Sequence, residues 1–363
     1  HDVRLGGRGK VTQHTKTELE ETPPAVGRLI LMLSHRDLKI LGTTEKLLTS
    51  AWLAEQYPIS VGLSWYHEGT QAFVKRFLNF TEFYCLDARK YDAFLDPWLI
   101  QIAINICREQ FVDGRDERYD AYWDFVRESL VEAPICRDDG IRLQKRVGTT
   151  SGHSHNTLLQ SICTLIVGYG VLMATHPDLT DEEIKAAAQI ESLGDDNITG
   201  TKAPLQPLPV EDVADKAWDM FGIDWSGKKS FATTAVLDAT ALQFQGVQYL
   251  GKYFRREEYP LDEGTVVVAI PYRPFKETYL RLLYPEYGSL EADQTWLRLL
   301  GNYLDAAGNP VTEKWLQGFM DWLEPQVVAP PQVWPSNFQR MVSRDYSGIG
   351  IEMPRPERMC YEQ

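Results

Sequence analysis

Positive charge is scarce in this chain: 37 lysines and arginines stand against 51 aspartates and glutamates, a formal net charge of −14. A protein that coats nucleic acid regardless of sequence is basic overall, so that class is excluded. A nucleic-acid enzyme that confines its positive charge to a channel is not. Cysteine is scarce too. Cys85, Cys107, Cys136, Cys163 and Cys360 are odd in number, widely spaced and free of any Cys-x-x-Cys pair. That pattern excludes a disulfide framework and a structural zinc, and it points to a reducing compartment. No apolar run reaches the length of a membrane span and no signal peptide opens the chain, so neither a membrane segment nor secretion is expected. There is no internal repeat. Nor is there a phosphate loop: around Gly6-Gly7-Arg8-Gly9-Lys10, Arg4 and Val11 stand where that motif needs glycine and a hydroxyl residue. The first residue is His1 rather than methionine, and a processed product or a fragment is expected.

What is present is ordinary globular material. The 363 residues exceed the size at which one core stops growing, which implies two or three subdomains. Hydrophobic residues make up 44 % and charged residues 24 %, with 17 tyrosines and ten tryptophans to supply large apolar area with polar tips. The basic residues cluster locally: Arg4, Arg8, Lys10 and Lys16; Arg28, Arg36 and Lys39; Arg142, Lys145 and Arg146.

Along the chain, residues 1–27 read as a flexible basic segment, and Arg28–Leu33 as a short buried strand. Helical spacing runs from Asp37 to Gln56. Phe83–Leu86 is a second short strand ending at Asp87, and Tyr91–Cys107 a helix with an early proline, Pro97. Residues 108–145 form a charged, aromatic insertion without an assigned structure. A Gly/Ser/Thr turn at Gly148–Gly152 opens a long apolar helix from Asn156 to Met173. Thr180–Glu183 is a capping box, and Val213–Phe221 a short amphipathic helix. Val247–Gly251 and Thr265–Ile270 read as strands. From Phe275 to Trp322 the pattern is helical, with Leu280, Leu282, Leu283, Trp296, Leu299 and Trp315 as its core. Pro325, Pro330, Pro331 and Pro335 mark an extended tail. Strands and helices mix without regular alternation, which makes the class α+β.

Three segments carry chemistry. Gly194-Asp195-Asp196 places two like charges side by side after a glycine, an arrangement suited to a solvated turn or to a divalent cation. Asp87 ends an apolar strand, and Asp92 follows after a turn. If that strand lies beside the Asp195-Asp196 turn, Asp87 and Asp195 can hold two hard cations, which activate an attacking hydroxyl and neutralise a leaving pyrophosphate. Ser151-Gly152 stands at a helix start, where free N–H groups suit phosphate or ribose. No Gly-x-Ser-x-Gly surrounds Ser151, so it is not a hydrolase nucleophile. His153 and His155, two apart at a helix start, diverge and are read as surface or supporting positions rather than as a metal pair.

In this order the segments resemble the palm motifs of a viral RNA-dependent RNA polymerase. Asp87–Asp92 resembles motif A, Ser151-Gly152 with its helix motif B, and Gly194-Asp195-Asp196 motif C. Lys16, Glu18 and Arg28-Leu29-Ile30 are similar to the fingertip motif F. Lys229-Ser230 is similar to motif D and Tyr249-Leu250-Gly251 to the motif E turn. Tyr272-Arg273-Pro274 and Leu283-Tyr284-Pro285-Glu286 look like the thumb start of the partitivirus-type enzymes of double-stranded RNA viruses.

The resemblance implies a right hand: an antiparallel palm sheet packed on helices, a helical thumb and partial fingers. Residues 1–80 are then partial fingers with motif F and palm-entry helices. Residues 81–255 are the palm, with a fingers insertion at about 108–145, and 256–363 the thumb and C-terminal tail. It implies RNA-templated RNA synthesis for viral replication and transcription, with two Mg²⁺ ions (Mn²⁺ as the alternative) on Asp87, Asp195 and Asp196. Asp92 senses the ribose 2′-hydroxyl with Ser151, Gly152, Asn156 and Gln160. Lys16 and Arg28 hold the triphosphate, and Lys229, or else Lys228, protonates the pyrophosphate. Gln160 stands where many relatives carry asparagine or aspartate, and Asn156 where many carry threonine. The implied partners are template and product RNA, nucleoside triphosphates and a candidate capsid protein, in host cytoplasm or a virion interior. Two other readings are a reverse transcriptase-like palm polymerase, which usually carries bulk where Asp92 stands, and an inactive structural remnant.

Overall fold

The structure, a computed structural model, describes residues 30–65, 69–137, 139–225, 229–238, 244–261, 264–283, 291–306 and 309–327. The basic N-terminal segment and the proline-rich tail lie outside these residues. In chain order come helices α1 (His35–Ala54) and α2 (Gly69–Phe77), strand β1 (Glu82–Leu86), the single turn α3 (Tyr91–Phe94), then α4 (Pro97–Glu109) and α5 (Asp120–Val131). A small hairpin of β2 (Pro134–Cys136) and β3 (Arg142–Gln144) follows, then α6 (Asn156–Thr175), α7 (Asp181–Ala187), β4 (Ala188–Leu193) and β5 (Asp196–Thr201). The last elements are α8 (Val210–Phe221), β6 (Phe231–Thr233), β7 (Tyr253–Leu261), β8 (Gly264–Tyr272), α9 (Phe275–Leu283), α10 (Ala292–Ala306) and α11 (Pro310–Leu323). The α+β class expected from the sequence is the one observed.

The chain divides into two compact units. The first comprises segments within 30–63 and 79–234. Its centre is an antiparallel sheet of order β4-β5-β1-β6. The helices α1, α4, α5, α6 and α8 supply one core with this sheet, through Leu41, Leu99, Ile104, Val126, Leu159, Val167 and Ala217 among others. Local chemistry sets the boundaries. Ser34 caps α1 by accepting from the Asp37 amide at 3.1 Å. The single helix expected over Tyr91–Cys107 is instead two, because Pro97 cannot continue a helix but starts one well, with Asp96 as its cap. The insertion at 108–145 is not separate material: α5 lays Trp123, Val126 and Leu130 into the core. The capping box forms as read, with the Glu183 carboxylate accepting from the Thr180 amide at 2.8 Å.

The reading that no apolar run is long enough to cross a membrane fails for one helix. α6 is long and apolar enough to cross a membrane by length and composition. It is the core helix of this unit, with Leu158, Leu159, Ile162, Cys163, Val167 and Val171 all buried.

The second unit comprises 64–78 and the described residues from 235 on. Its long hairpin pairs β7 with β8 from Tyr253↔Tyr272 to Leu261↔Gly264. The strand expected at Val247–Gly251 is a tight turn: Leu250 and Gly251 both have positive φ, 51° and 68°, while Tyr249 and Lys252 exchange backbone hydrogen bonds. Two consecutive left-handed residues make a hairpin turn rather than a strand. Phe73, stacked on Tyr249 at 5.1 Å, anchors α2 beneath it. Helices α9, α10 and α11 pack around Leu282, Leu299, Leu316 and Met320, whereas Leu283 is exposed rather than core, one residue off the buried face.

Candidate active site

The catalytic candidates gather at one end of the four-stranded sheet, and strand register brings them there. β4 and β5 pair with Leu193 opposite Asp196, which leaves Gly194-Asp195 as a two-residue hairpin turn. Gly194 has φ +67°, a conformation that glycine adopts at little cost. β1 pairs with β5 so that Leu86 faces Asn197. One residue further, Asp87 falls beside Asp196. Because paired residues share a face, these two carboxylates lie on the same side of the sheet, opposite the side that Ser192 and Asn197 present to α6. β6 completes the edge. Cys85 faces Phe231, so Lys229 and Ser230 arrive at the same end of β1, and Ser230 Oγ accepts from the Asp87 amide at 2.9 Å.

The turn is fastened to α6 by groups the sequence reading did not single out. Ser161 Oγ accepts from the Gly194 amide at 2.8 Å, and Thr164 Oγ1 donates to the Gly194 carbonyl at 2.7 Å. Ser161 and Thr164 stand three apart on one face of the helix and are buried. Asn197 Nδ2 donates to the Leu86 carbonyl at 3.0 Å and to the Asp195 carbonyl at 3.1 Å, tying the two carboxylate-bearing chain ends together. The only signal for these residues was polar type on an otherwise apolar helix, and an asparagine directly after the Asp pair.

A second network joins Asp92 to the Ser151 loop. Gln160 Nε2 donates to Asp92 Oδ1 at 2.6 Å and to Thr149 Oγ1 at 2.8 Å. The extra methylene of glutamine is what spans this gap. The Thr149 amide donates to the Asp92 carbonyl at 2.7 Å, and the Gly148 amide to that of Leu95 at 2.9 Å. Lys145 Nζ reaches the Gly148 carbonyl at 2.9 Å. Burial lowers its pKa to about 8, against the pull of the Asp92 carboxylate. Asn156 is buried, and its Oδ1 has no partner among the described residues.

The described part of Arg28–Leu33 is not a strand. Leu31 is instead clasped to the loop: its amide donates to Ser151 Oγ at 3.0 Å, and its carbonyl accepts from the Gly152 amide at 2.8 Å. A Cβ on Gly152 would lie within 2.7 Å of the Leu31 carbonyl oxygen and of Met32 Sδ, so the approach requires glycine. His153 and His155 are not surface residues. His155 Nε2 pairs with Thr44 Oγ1 at 2.9 Å and His153 Nε2 with Ser129 Oγ at 3.0 Å. Burial lowers the His155 pKa to about 4 and that of His153 well below the usual value. Lys16, Arg28 and Lys228 lie outside the described residues.

Asp87, Asp195 and Asp196 are hard oxygen donors on neighbouring chain ends. Among the described residues no three His, Cys, Asp or Glu side chains form a preformed cage. Mg²⁺ takes one or two carboxylates and completes its shell with water and substrate phosphates, so the oxygen chemistry of these three side chains is of the type it needs. The residues present therefore fit such an ion.

A family model described as "Viral RNA-dependent RNA polymerase" matches residues 53–263, more than half of the chain. No curated protein matches. Among solved structures, the RNA-dependent RNA polymerase of a human picorbirnavirus aligns with TM-score 0.65 at 13 % identity, over 89 % of this chain and 57 % of that one. Its insertion-loop deletion mutant aligns with TM-score 0.65 at 14 % identity, over 90 % and 60 %. Sicinivirus 3Dpol aligns with TM-score 0.53 at 16 % identity, over 80 % and 57 %. At these identities the likeness is one of fold. The chain spans less than two thirds of the length of each of these relatives.

Proposed function

Since this chain belongs to the viral RNA-dependent RNA polymerase family, we propose that it carries the nucleotidyl-transfer centre of an RNA-templated RNA polymerase, acting on template RNA and nucleoside triphosphates. The observation that carries the reading is the β1–β5 register, which sets Asp87 beside Asp196 and next to the turn bearing Asp195. In this reading Asp87 and Asp195 hold two Mg²⁺ ions, with Asp196 supporting them. When bound, such a pair lowers the pKa of the attacking 3′-hydroxyl and neutralises the leaving pyrophosphate.

The chain's own groups do the rest. Asn197 and Ser230 fix the backbone at Asp195 and Asp87, so the carboxylates are held before substrate arrives. Lys229, next to Ser230, is the general acid for the pyrophosphate. Gln160 orients Asp92 to accept from the ribose 2′-hydroxyl. Ser151, whose oxygen accepts from Leu31, keeps its own hydroxyl proton for the substrate. Viral replication and transcription, a capsid partner, and a site in host cytoplasm or virion interior belong to the same proposal.

The test is nucleotide incorporation on an RNA template with Mg²⁺, comparing the chain with Asp195→Ala. Loss of a metal ligand is expected to lower the rate by about 10³ or more. Equal rates in the two proteins would sink the assignment. No incorporation by the unaltered chain would favour the inactive remnant.

A further inference from the structure

Beyond the transfer centre, one cavity of about 220 Å³ in the first unit is lined by groups the reaction does not use. Its walls are Arg89 and Lys90 from the loop that follows Asp87, Tyr91 and Phe94 of α3, Trp218 of α8, and Gly222 and Asp224 just beyond that helix. Trp218 is 60 % exposed and Phe94 57 %. Two large aromatic faces from different elements are therefore left open at one cavity, although burying them would be favourable. The Phe94 amide donates to the Lys90 carbonyl, and α8 closes behind Trp218 with the left-handed Gly222, whose amide donates to the Trp218 carbonyl at 2.9 Å.

Charge accompanies the aromatics. The Arg89 side chain, 65 % exposed, stands 3.7 Å from the Asp224 carboxylate. Lys90 holds φ +51° and ψ +39°, a left-handed conformation that is unfavourable for a non-glycine residue. Strain of this kind, held in place by its surroundings, gathers at ligand clamps and switches. The cavity is small beside the roughly 300–1,000 Å³ of a drug-sized site, which suits an aromatic base with its phosphates outside, beside Lys90 and Arg89, where they would compete with the Asp224 carboxylate for Arg89.

We propose that this cavity binds a nucleotide, its base stacked on Trp218 and Phe94 and its phosphates on Arg89 and Lys90, as a second site apart from the transfer carboxylates. Aromatic platforms beside cations are the general means of holding a base without reading its sequence. The site also has a bonded route to the catalytic turn. Tyr91 lines the cavity, its hydroxyl pairs with Thr164 Oγ1 at 2.9 Å, and Thr164 donates to the Gly194 carbonyl.

An azido-ATP photoprobe on the whole chain, followed by peptide mapping, tests this. Asp195→Ala serves as the background, so labelling does not depend on synthesis. The label is expected on the peptides bearing Phe94 or Trp218, and Trp218→Ala with Arg89→Gln is expected to lower it about tenfold. Both side chains are exposed, so circular dichroism of the variant should match the parent, and Phe94→Ala alone should also weaken labelling. Displacement by free ATP but not by a short oligoadenylate identifies a free nucleotide as the occupant; displacement by the oligoadenylate identifies a strand. Absence of label from both peptides, or equal labelling in the variants, overturns the site. Incorporation by the unaltered chain is measured separately, so failure here and failure of the polymerase reading remain distinct.

Discussion

Gln160 donates to the Asp92 carboxylate at 2.6 Å, from a side chain that is itself buried. A hydrogen bond to an ion is worth about 1.5–3 kcal/mol. Gln160→Asn withdraws the amide by one methylene and loses both this bond and the one to Thr149. The preference for ribonucleotides over 2′-deoxynucleotides is expected to fall about tenfold, with a smaller effect on the ribonucleotide rate. Competing incorporation of the paired substrates measures it. An unchanged preference would remove Asp92 from ribose recognition.

Thr164 is the link between the core tyrosine and the catalytic turn. Thr164→Val keeps the shape but strands the Gly194 carbonyl and leaves the Tyr91 hydroxyl only its longer bond to the Gln160 carbonyl, at 3.4 Å. A destabilisation of about 1–3 kcal/mol is expected in urea unfolding. The turning-over rate should fall while affinity for nucleotide stays nearly constant, because the turn carrying Asp195 loosens and the proposal gives the triphosphate to other residues.

Gly152 admits no side chain against Leu31. Gly152→Ala is expected to push the Leu31 segment off the loop. The readout is hydrogen exchange: the Leu31 amide, which donates to Ser151, loses protection in the variant while the α6 amides keep theirs. Protection unchanged at Leu31 would show that the clasp tolerates a Cβ.

The buried histidines make stability depend on acid. His155 is neutral in the folded chain down to about pH 4, whereas unfolded it takes a proton near pH 6.5. Above the unfolded value the group has no effect. As pH falls from there to about 4, the unfolded chain binds a proton that the folded chain refuses, and stability drops by about 1.4 kcal/mol per unit. His155→Gln is expected to flatten this part of the profile in urea titrations between pH 7 and 5. A profile as steep as that of the parent chain would assign the acid sensitivity to other groups.

Much of this was legible in the residues because it follows from short-range pattern. Phe83–Leu86 reads as a strand through its apolar run, and Thr180–Glu183 as a cap through its spacing. The Asp195 turn reads through its glycine. What stayed hidden depends on neighbours distant in the chain. Nothing local in Leu29-Ile30-Leu31 distinguishes a strand from a segment whose partners are a serine hydroxyl and a turn amide. The histidines read as surface or supporting positions without a way to choose, because Thr44 and Ser129, whose hydroxyls pair with their Nε2 atoms, lie on other helices. Nothing in the residues around Ser161 and Thr164 marks them out, because their partner, the Gly194 turn, lies 30 residues or more away in the chain. Gln160 is named beside Asp92 by the resemblance and departs from the resembled pattern in its length, which only the observed gap to Asp92 explains.

The clasp between Leu31 and Ser151 joins residues 120 apart, whereas the bonds fastening the Gly194 turn to α6 span 30 and 33. Loop closure grows costlier with separation, though slowly, by about 0.6 kcal/mol per doubling. The order of assembly follows: α6 and its turn come together first, and the N-terminal segment is laid across the loop afterwards. Pulse labelling during refolding should find the Gly194 amide protected ahead of that of Leu31.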